Sequence, residues 1–133
     1  MQHHASGCYA AHSELKRLNR RAEKALLAAE AVATVAAEVA DGPFPAECIR
    51  EAWQDVLFCQ FHDILAGTSI RAAYTDTRDQ LGRACQAAEE VLNEAQQRLA
   101  SRIDTRGEGQ PLVLFNPHAT PWTGLYETDD LSA

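Results

Sequence analysis

The sequence predicts a mainly α-helical domain, an up-down-up bundle of three helices followed by the start of a short β-strand at the C-terminus. Alanine, which favours helices in close contact, accounts for 24 of the 133 residues. Apolar residues recur at spacings of three and four, the period of an amphipathic helix. Short breaks rich in glycine and proline divide the chain into helices predicted at 12–40, 45–65 and 70–104, and such short connections suit antiparallel neighbours.

The first predicted helix carries a narrow stripe of mostly small apolar residues. Ser13 is the expected N-cap. Asp41-Gly42-Pro43 is expected to end the helix, because glycine suits the C-terminal cap and proline cannot continue the helix. The stripe that should face the core consists of Leu15, Leu18, Ala22, Ala25, Ala29, Val32, Ala36 and Val39.

The second predicted helix begins at Pro45, a residue suited to a first helical turn. It is apolar on more than one face, whereas a surface helix of a small bundle shows a single stripe. We therefore expect this helix to be covered on several sides, or to pack on a partner outside this chain. Its large apolar residues are Ile49, Trp53, Val56, Leu57, Phe58 and Phe61.

The third predicted helix follows Gly67, with Thr68 or Ser69 as its N-cap. Its core positions are expected to be Tyr74, Leu81, Ala84, Cys85, Ala88, Val91, Leu92, Ala95, Leu99 and Ile103.

The pattern changes after this helix. A short apolar strand is predicted at 112–115, and one further candidate lies around Leu125 and Tyr126. Two isolated strands do not make a stable sheet, so a β domain is expected to begin near Pro111 and to lie mostly outside this chain. The predicted division is a lead-in segment at 1–11, a helical domain at 12–107 and the start of a β domain at 108–133.

Composition excludes several classes of protein. The formal net charge is −7, which disfavours a nucleic-acid partner, since that requires a basic surface. No apolar run approaches the roughly 18 residues that a membrane span needs, and residues 1–10 lack the features of a signal peptide. The four cysteines form no C-x-x-C pair. We therefore expect reduced thiols that act as small hydrophobic residues, and a cytoplasmic location.

One basic cluster stands out on the first helix. Five cations occur within nine residues, and acidic residues flank or interleave them. Such a cluster is usually a solvated helix face, although it could also meet an acidic partner. Its members are Lys16, Arg17, Arg20, Arg21 and Lys24.

The polar pair His62-Asp63 is the most informative feature of the chain. It follows a strongly apolar stretch and precedes the glycine break, where a buried charge would be costly without a partner. The pair could hydrogen-bond a helix end, or it could supply a metal ligand or a substrate-binding carboxylate. Asp55 and Cys59 could share a helix face with His62, but a structural zinc site usually has four ligands and the sequence does not offer them. A phosphate-binding glycine loop is also missing from the sequence.

The stretch 53–70, WQDVLFCQFHDILAGTSI, resembles the W-x-x-x-L-x-x-Q-F-H-D-x-L-x-G-[ST]-[ST]-I segment of glycoside hydrolase family 38, the α-mannosidases. Three weaker segments agree in order. Gly7-Cys8-Tyr9, together with Lys16, Asn19, Arg20 and Glu23, resembles the family's lead into its central domain. Pro45 precedes the second helix as it does there, and 113–117 resembles the start of the C-terminal β region. Two positions depart from the family pattern, Ala66 in place of a common proline and Ala10-Ala11 in place of hydroxyl residues.

The resemblance implies the central three-helix domain of a retaining, zinc-dependent α-mannosidase that acts on terminal α-mannosides. In that family the histidine of the motif binds zinc and the next aspartate contacts sugar hydroxyls, which correspond here to His62 and Asp63. No catalytic residue is expected in this chain, because the nucleophile and the other zinc ligands belong to the catalytic domain.

The expected partners are therefore the mannoside substrate and the enzyme's own catalytic and β domains. Without those domains the second helix should expose Trp53, Phe58 or Phe61 and support a homo-oligomer. The alternative to an enzyme domain is a stand-alone helical interaction module without catalysis.

Overall fold

The computed structural model describes residues 6–8, 10–125 and 127, and it confirms a mainly helical chain. Three long helices are present, α1 (Ser13–Val39), α2 (Ala46–Cys59) and α4 (Arg71–Ala100). A four-residue helix, α3 (His62–Leu65), lies between the second and third of them. The described residues contain no β-strand.

Side-chain pairs between the helices show the up-down-up order. Near its start α1 pairs with the start of α4 through Glu14 and Arg78, and the guanidinium of Arg98 near the end of α4 donates to the carbonyl of Ala36, so α1 and α4 run parallel. In contrast, Asp55 and Cys59 at the end of α2 bond to Arg83 and Gln80 in reversed order, so α2 runs antiparallel to α4.

The core is narrow and built on alanine. Most predicted stripe positions of α1 are buried, but the helix also buries Leu26, Ala33 and Asn19, which the predicted stripe left out. Val39 was predicted to face the core and is instead exposed, while the next residue, Ala40, is buried in its place. The buried cluster also includes Ile49, Ala52, Val56 and Cys59 of α2, and Leu81, Ala84, Cys85, Ala88, Val91 and Ala95 of α4.

The second helix is shorter than predicted. It ends at Cys59 rather than near residue 65, because Phe61 takes an extended conformation with φ −51° and ψ 138°. The Phe61 carbonyl then accepts hydrogen bonds from the backbone N–H groups of Ile64 and Leu65 and so begins α3. As a result His62 is the first residue of a separate helical turn and does not end α2.

The predicted caps are wrong at two helices. Ser13 is already inside α1, and the N-cap is His12, whose φ of 48° is left-handed. Ile70 precedes α4 in an extended conformation, and no side chain caps that helix either. Sequence preference for a hydroxyl cap was overridden here by the contacts of the neighbouring turn, in which Thr68 bonds to Asp63.

The predicted strand at 112–115 is not shown. Helix α4 ends at Ala100, four residues earlier than predicted, and exposed Ile103 lies beyond it. Residues 112–115 are neither helix nor strand, since the described residues offer no second strand for them to pair with. Of the second candidate strand, Leu125 is fully exposed and Tyr126 lies outside the described residues.

Candidate functional site

The turn that begins at His62 is held by hydrogen bonds from the residues that follow it. The backbone N–H of Thr68 donates to the Asp63 carbonyl over 3.0 Å, and the Thr68 hydroxyl donates to Asp63 Oδ1 over 3.1 Å. The backbone N–H of Ser69 donates to the Tyr74 hydroxyl over 2.7 Å, and Tyr74 is buried. The turn is thereby attached to α4 while its first two side chains remain at the surface.

The lead-in segment crosses the same turn at Gly67. This glycine has φ +82°, and a Cβ atom there would lie 2.6 Å from the Cβ of Ala11. The imidazole of His12 stacks on the Tyr74 ring with centroids 4.0 Å apart. The motif glycine is therefore required for two reasons, its left-handed backbone and the close approach of the lead-in segment.

His62 and Asp63 present their side chains to solvent. The His62 side chain is 79% exposed and that of Asp63 is 52% exposed, and His62 Nε2 lies 3.5 Å from Asp63 Oδ2. The Phe61 ring lies against the imidazole with centroids 4.2 Å apart. The predicted alternative, in which the pair only satisfies a helix end, accounts for the Asp63 contacts with Thr68 but leaves the imidazole without a structural role.

A cleft of about 500 Å³ opens beside His62, between α1, the lead-in segment and α3. It brings together residues that are far apart in sequence, including the lead-in and α1 positions on which the family resemblance partly rests. The lining residues are Cys8, Lys16, Asn19, Arg20, Glu23, His62, Leu65 and Ala66.

A chain of polar contacts crosses the wall of this cleft. The Gln60 side-chain amide donates to Glu23 Oε1 over 2.8 Å, and Arg20 donates to Glu23 Oε2 over 3.1 Å. Lys16 Nζ donates to the Ala11 carbonyl over 2.5 Å. These contacts tie α1 both to the junction between α2 and α3 and to the lead-in segment. The sequence predicts no role for Gln60, although its place in the motif before His62 was a signal for one.

Asn19 is buried in the wall of the cleft without a partner for its oxygen. The residue is 7% exposed, and its Oδ1 is the one buried side-chain polar atom without a hydrogen bond in the described part of the chain. Such an acceptor is costly to bury, so this position departs from ordinary core packing.

The three residues that could have shared a metal site on α2 do not come together. Cys59 is fully buried and its thiol lies 3.3 Å from Gln80 Oε1, while Asp55 pairs with Arg83 at 3.5 Å. Burial raises the pKa of the Cys59 thiol to about 11, helped by the nearby Asp55 carboxylate, so this thiol is not a ready metal ligand. Across the described residues, no three His, Cys, Asp or Glu side chains are placed to hold a metal ion.

The imidazole of His62 is exposed and is not among the buried residues of the core, so it is accessible to a ligand. One imidazole is only a third or a quarter of the ligands of a typical zinc site.

Most side chains of the basic cluster of α1 make ion pairs or hydrogen bonds at the surface of the bundle. Arg20 pairs with Glu23, Arg21 pairs with Glu89 of α4 at 2.7 Å, and Lys16 bonds to the lead-in backbone. Arg17 and Lys24 are exposed. This agrees with a solvated helix face.

The four cysteines are free thiols in the structure. Cys59 and Cys85 are buried as predicted for small hydrophobic residues, whereas Cys8 is half-buried and Cys48 is exposed. None of the helices in the described part of the chain is long and apolar enough to cross a membrane.

The fold and the motif together define a small helical domain, in which three long helices carry an anchored turn at 62–65. The sequence model of the family described as "Alpha mannosidase middle domain" matches residues 3–99. The chain therefore belongs to the α-mannosidase middle-domain family, and the resemblance found in the sequence is confirmed.

Individual relatives agree with the family match. The chain is 39% identical over 70 residues to "Alpha-mannosidase G" of Dictyostelium discoideum, covering 53% of this chain. It is 28% identical over 118 residues to "Alpha-mannosidase 2C1" of Mus musculus, covering 88% of this chain. It is 34% identical over 70 residues to "Alpha-mannosidase" of Saccharomyces cerevisiae, covering 51% of this chain. The matched stretches make up 6%, 11% and 6% of these relatives, so the chain spans only a small part of their length.

Proposed function

We propose that this chain is the middle domain of a retaining, zinc-dependent α-mannosidase that hydrolyses terminal α-mannosides. In this proposal His62 supplies one zinc ligand and Asp63 contacts the hydroxyls of the mannoside. The observation that carries the proposal is the anchored turn at 62–65, which holds an imidazole and a carboxylate at the surface beside a cleft.

The chemistry of the reaction determines which groups the middle domain and the catalytic domain would each supply. A retaining glycosidase needs two carboxyl groups on either side of the scissile bond, one as nucleophile and one as acid and base. In the described residues Asp63 is the carboxylate next to His62, and Asp55 is paired with Arg83. The nucleophile, the acid and the remaining zinc ligands would come from a separate catalytic domain. Bound zinc would supply a positive charge that orients and polarises the substrate.

In this scheme the turn holds the Asp63 carboxylate in a fixed orientation. The Thr68 hydroxyl on Asp63 Oδ1 restricts rotation of the carboxylate, and the Tyr74 hydroxyl on the Ser69 N–H holds the end of the turn. Asp63 Oδ2, which lies 3.5 Å from His62 Nε2, would be the oxygen that accepts from a sugar hydroxyl, and a charged acceptor makes a stronger hydrogen bond than a neutral one. The domain would thus orient the sugar and the metal without taking part in bond cleavage.

The outer face of α2 would pack on the enzyme's own catalytic domain, with the β domain following the C-terminal segment. Leu57, Phe58 and Phe61 are 61%, 65% and 51% exposed, whereas Trp53 packs against the core and is only partly exposed. Side chains of this kind on a solvated surface favour association. The 133-residue chain alone would therefore form a homo-oligomer through this face at high concentration.

The test of the proposed function compares the isolated chain with the whole enzyme of which it is a part. The purified chain, supplied with zinc, is expected to leave an aryl α-mannoside intact, and the whole enzyme is expected to hydrolyse it. Asp63→Asn in the whole enzyme should lower kcat/KM by at least about tenfold, since a charged hydrogen bond is worth about 1.5–3 kcal/mol. Turnover by the isolated chain that survives repurification would refute the proposal.

The second candidate is a stand-alone interaction module, which the exposed Leu57 and Phe58 favour. It predicts that the chain binds a partner protein through this face and takes no part in mannoside hydrolysis. A transcript whose coding sequence lacks a catalytic domain upstream of this chain would favour this alternative, and one that encodes such a domain would favour the enzyme.

A further inference from the structure

One polar bridge connects α1 to the chain just before His62. Gln60 caps the C-terminus of α2, and its side-chain amide donates to Glu23 Oε1 over 2.8 Å in a partly buried position. Arg20, one helical turn before Glu23, donates to the other carboxylate oxygen over 3.1 Å. The Glu23 carboxylate therefore accepts a hydrogen bond at each of its two oxygens, and the Glu23 side chain is only 24% exposed.

The position of this bridge matters because the chain changes direction immediately after it. Phe61 is extended, and α3 starts anew at His62, so the regular hydrogen bonds of α2 do not fix the orientation of the imidazole. A four-residue helix has little stability of its own. On its far side α3 is held by Thr68 and Tyr74, and its Ile64 side chain is buried. On the near side the buried Cys59 fixes the end of α2, and the Gln60–Glu23 bond is the contact at the next residue, the last one before the chain turns at Phe61.

The exposed imidazole has no such anchor of its own. His62 contacts Asp63 at 3.5 Å and the exposed Phe61 ring, and both neighbours belong to the same surface turn. Its place relative to the bundle is consequently set by the backbone at 60–62. A metal ligand has to be held within a fraction of an ångström of its position, and groups behind the ligand usually do this.

We propose that Gln60 and Glu23 are positioning residues that fix His62 relative to α1, with Arg20 orienting the Glu23 carboxylate. The inference rests on the proposed function, in which His62 binds zinc. Neither Gln60 nor Glu23 touches metal or substrate in this scheme, and both act through the backbone that carries the imidazole.

The first part of the test measures the order of the junction in the 133-residue chain by ¹⁵N relaxation. Glu23→Ala is expected to lower the backbone order parameters at 60–65 from rigid values near 0.85 to below about 0.6. Glu23→Gln keeps a carbonyl oxygen for the Gln60 amide and should restore most of the order. Glu89→Ala is the matched control, since it removes another carboxylate that pairs with an α1 arginine but does not line the cleft beside His62.

The second part measures zinc affinity in the whole enzyme by competition with a chelator. Glu23→Ala and Gln60→Ala should each weaken zinc binding about 10- to 100-fold, the range found for groups behind metal ligands. The double variant should be no worse than either single variant, because both remove the same bond. Glu89→Ala should bind zinc like the unchanged enzyme, and Gln60→Ala keeps the test valid if Glu23→Ala folds poorly.

His62→Ala separates failure of this inference from failure of the proposed function. If His62→Ala loses zinc while Glu23→Ala and Gln60→Ala keep full affinity, the positioning role is overturned and the proposed function stands. If His62→Ala keeps zinc, the proposed function itself is wrong. Unchanged order parameters at 60–65 in Glu23→Ala would also overturn the positioning role.

Discussion

The interface between α1 and α4 and the junction between α2 and α3 follow different rules. The interface buries side chains from both helices, among them Leu26 and Leu81, which have no exposed surface. At the junction the large side chains of Leu57, Phe58 and Phe61 are more than half exposed, and the chain is fixed by a few hydrogen bonds. The interface therefore supplies most of the stability of the fold, whereas the residues proposed to bind zinc and substrate lie at the junction.

This difference explains why the two regions were not equally predictable. Burial at the α1–α4 interface repeats every three or four residues, so the pattern gave both helices and most of their core positions. The fold class and the recognition of the family were therefore available from the sequence. The pattern did not identify Leu26 and Asn19 as core positions, because alanine is so frequent in α1 that several faces look equally apolar.

At the junction the sequence could give the residues but not their arrangement. The break at Phe61 is a single extended residue inside an apolar run, and no glycine or proline marks it. The Gln60–Glu23 bond joins residues 37 positions apart, which no local pattern encodes. The motif identified His62 and Asp63, whereas the cleft beside them depends on how α1, α3 and the lead-in segment meet.

The largest contrast between the two regions is expected from leucine truncations. Leu26→Ala should lower the free energy of unfolding by about 2–4 kcal/mol, because the small residues around it cannot fill the cavity. Leu57→Ala, at 61% exposure, should change it by less than about 0.5 kcal/mol. Urea unfolding followed by circular dichroism measures both, with exposed Leu27→Ala as a control within α1. Equal losses for Leu26 and Leu57 would place part of the core at the outer face of α2.

Alanine substitutions at two glycines should change the stability of the chain in opposite directions, and by less than the truncation of Leu26. Gly67→Ala should destabilise the chain by about 1–3 kcal/mol, because a left-handed backbone and the contact with Ala11 both oppose a side chain. Gly82→Ala, in α4 with open space around its Cβ position, should stabilise it by about 0.5–1 kcal/mol. Thermal melting of the two variants decides this, and a neutral Gly67→Ala would show that the lead-in segment does not lie on the turn.

A third contrast concerns the buried thiol beside the junction, and it appears only at alkaline pH. The pKa of Cys59 is raised in the folded state from an ordinary value near 9 to about 11, chiefly by burial. Between these values the unfolded chain loses its thiol proton first, so stability should fall as the pH rises from about 9 to about 11. Denaturation at pH 8 and pH 10.5 measures this fall, and Cys59→Ala should reduce the dependence of stability on pH.

The burial of Cys59 also predicts the order in which the thiols react. In the folded chain Cys48 should be alkylated well before Cys59, and the reverse order would contradict the burial of Cys59.

The central claim is that an exposed imidazole on a fixed turn completes a zinc site in the whole α-mannosidase. The most direct measurement is zinc content by mass spectrometry, taken together with the mannosidase rate, for His62→Ala in the whole enzyme. His118→Ala, an exposed histidine in the C-terminal segment, is the matched control. We predict that His62→Ala loses zinc and activity together while helicity is unchanged, because the core does not depend on this side chain. A His62→Ala enzyme with full zinc content and full rate would contradict the account.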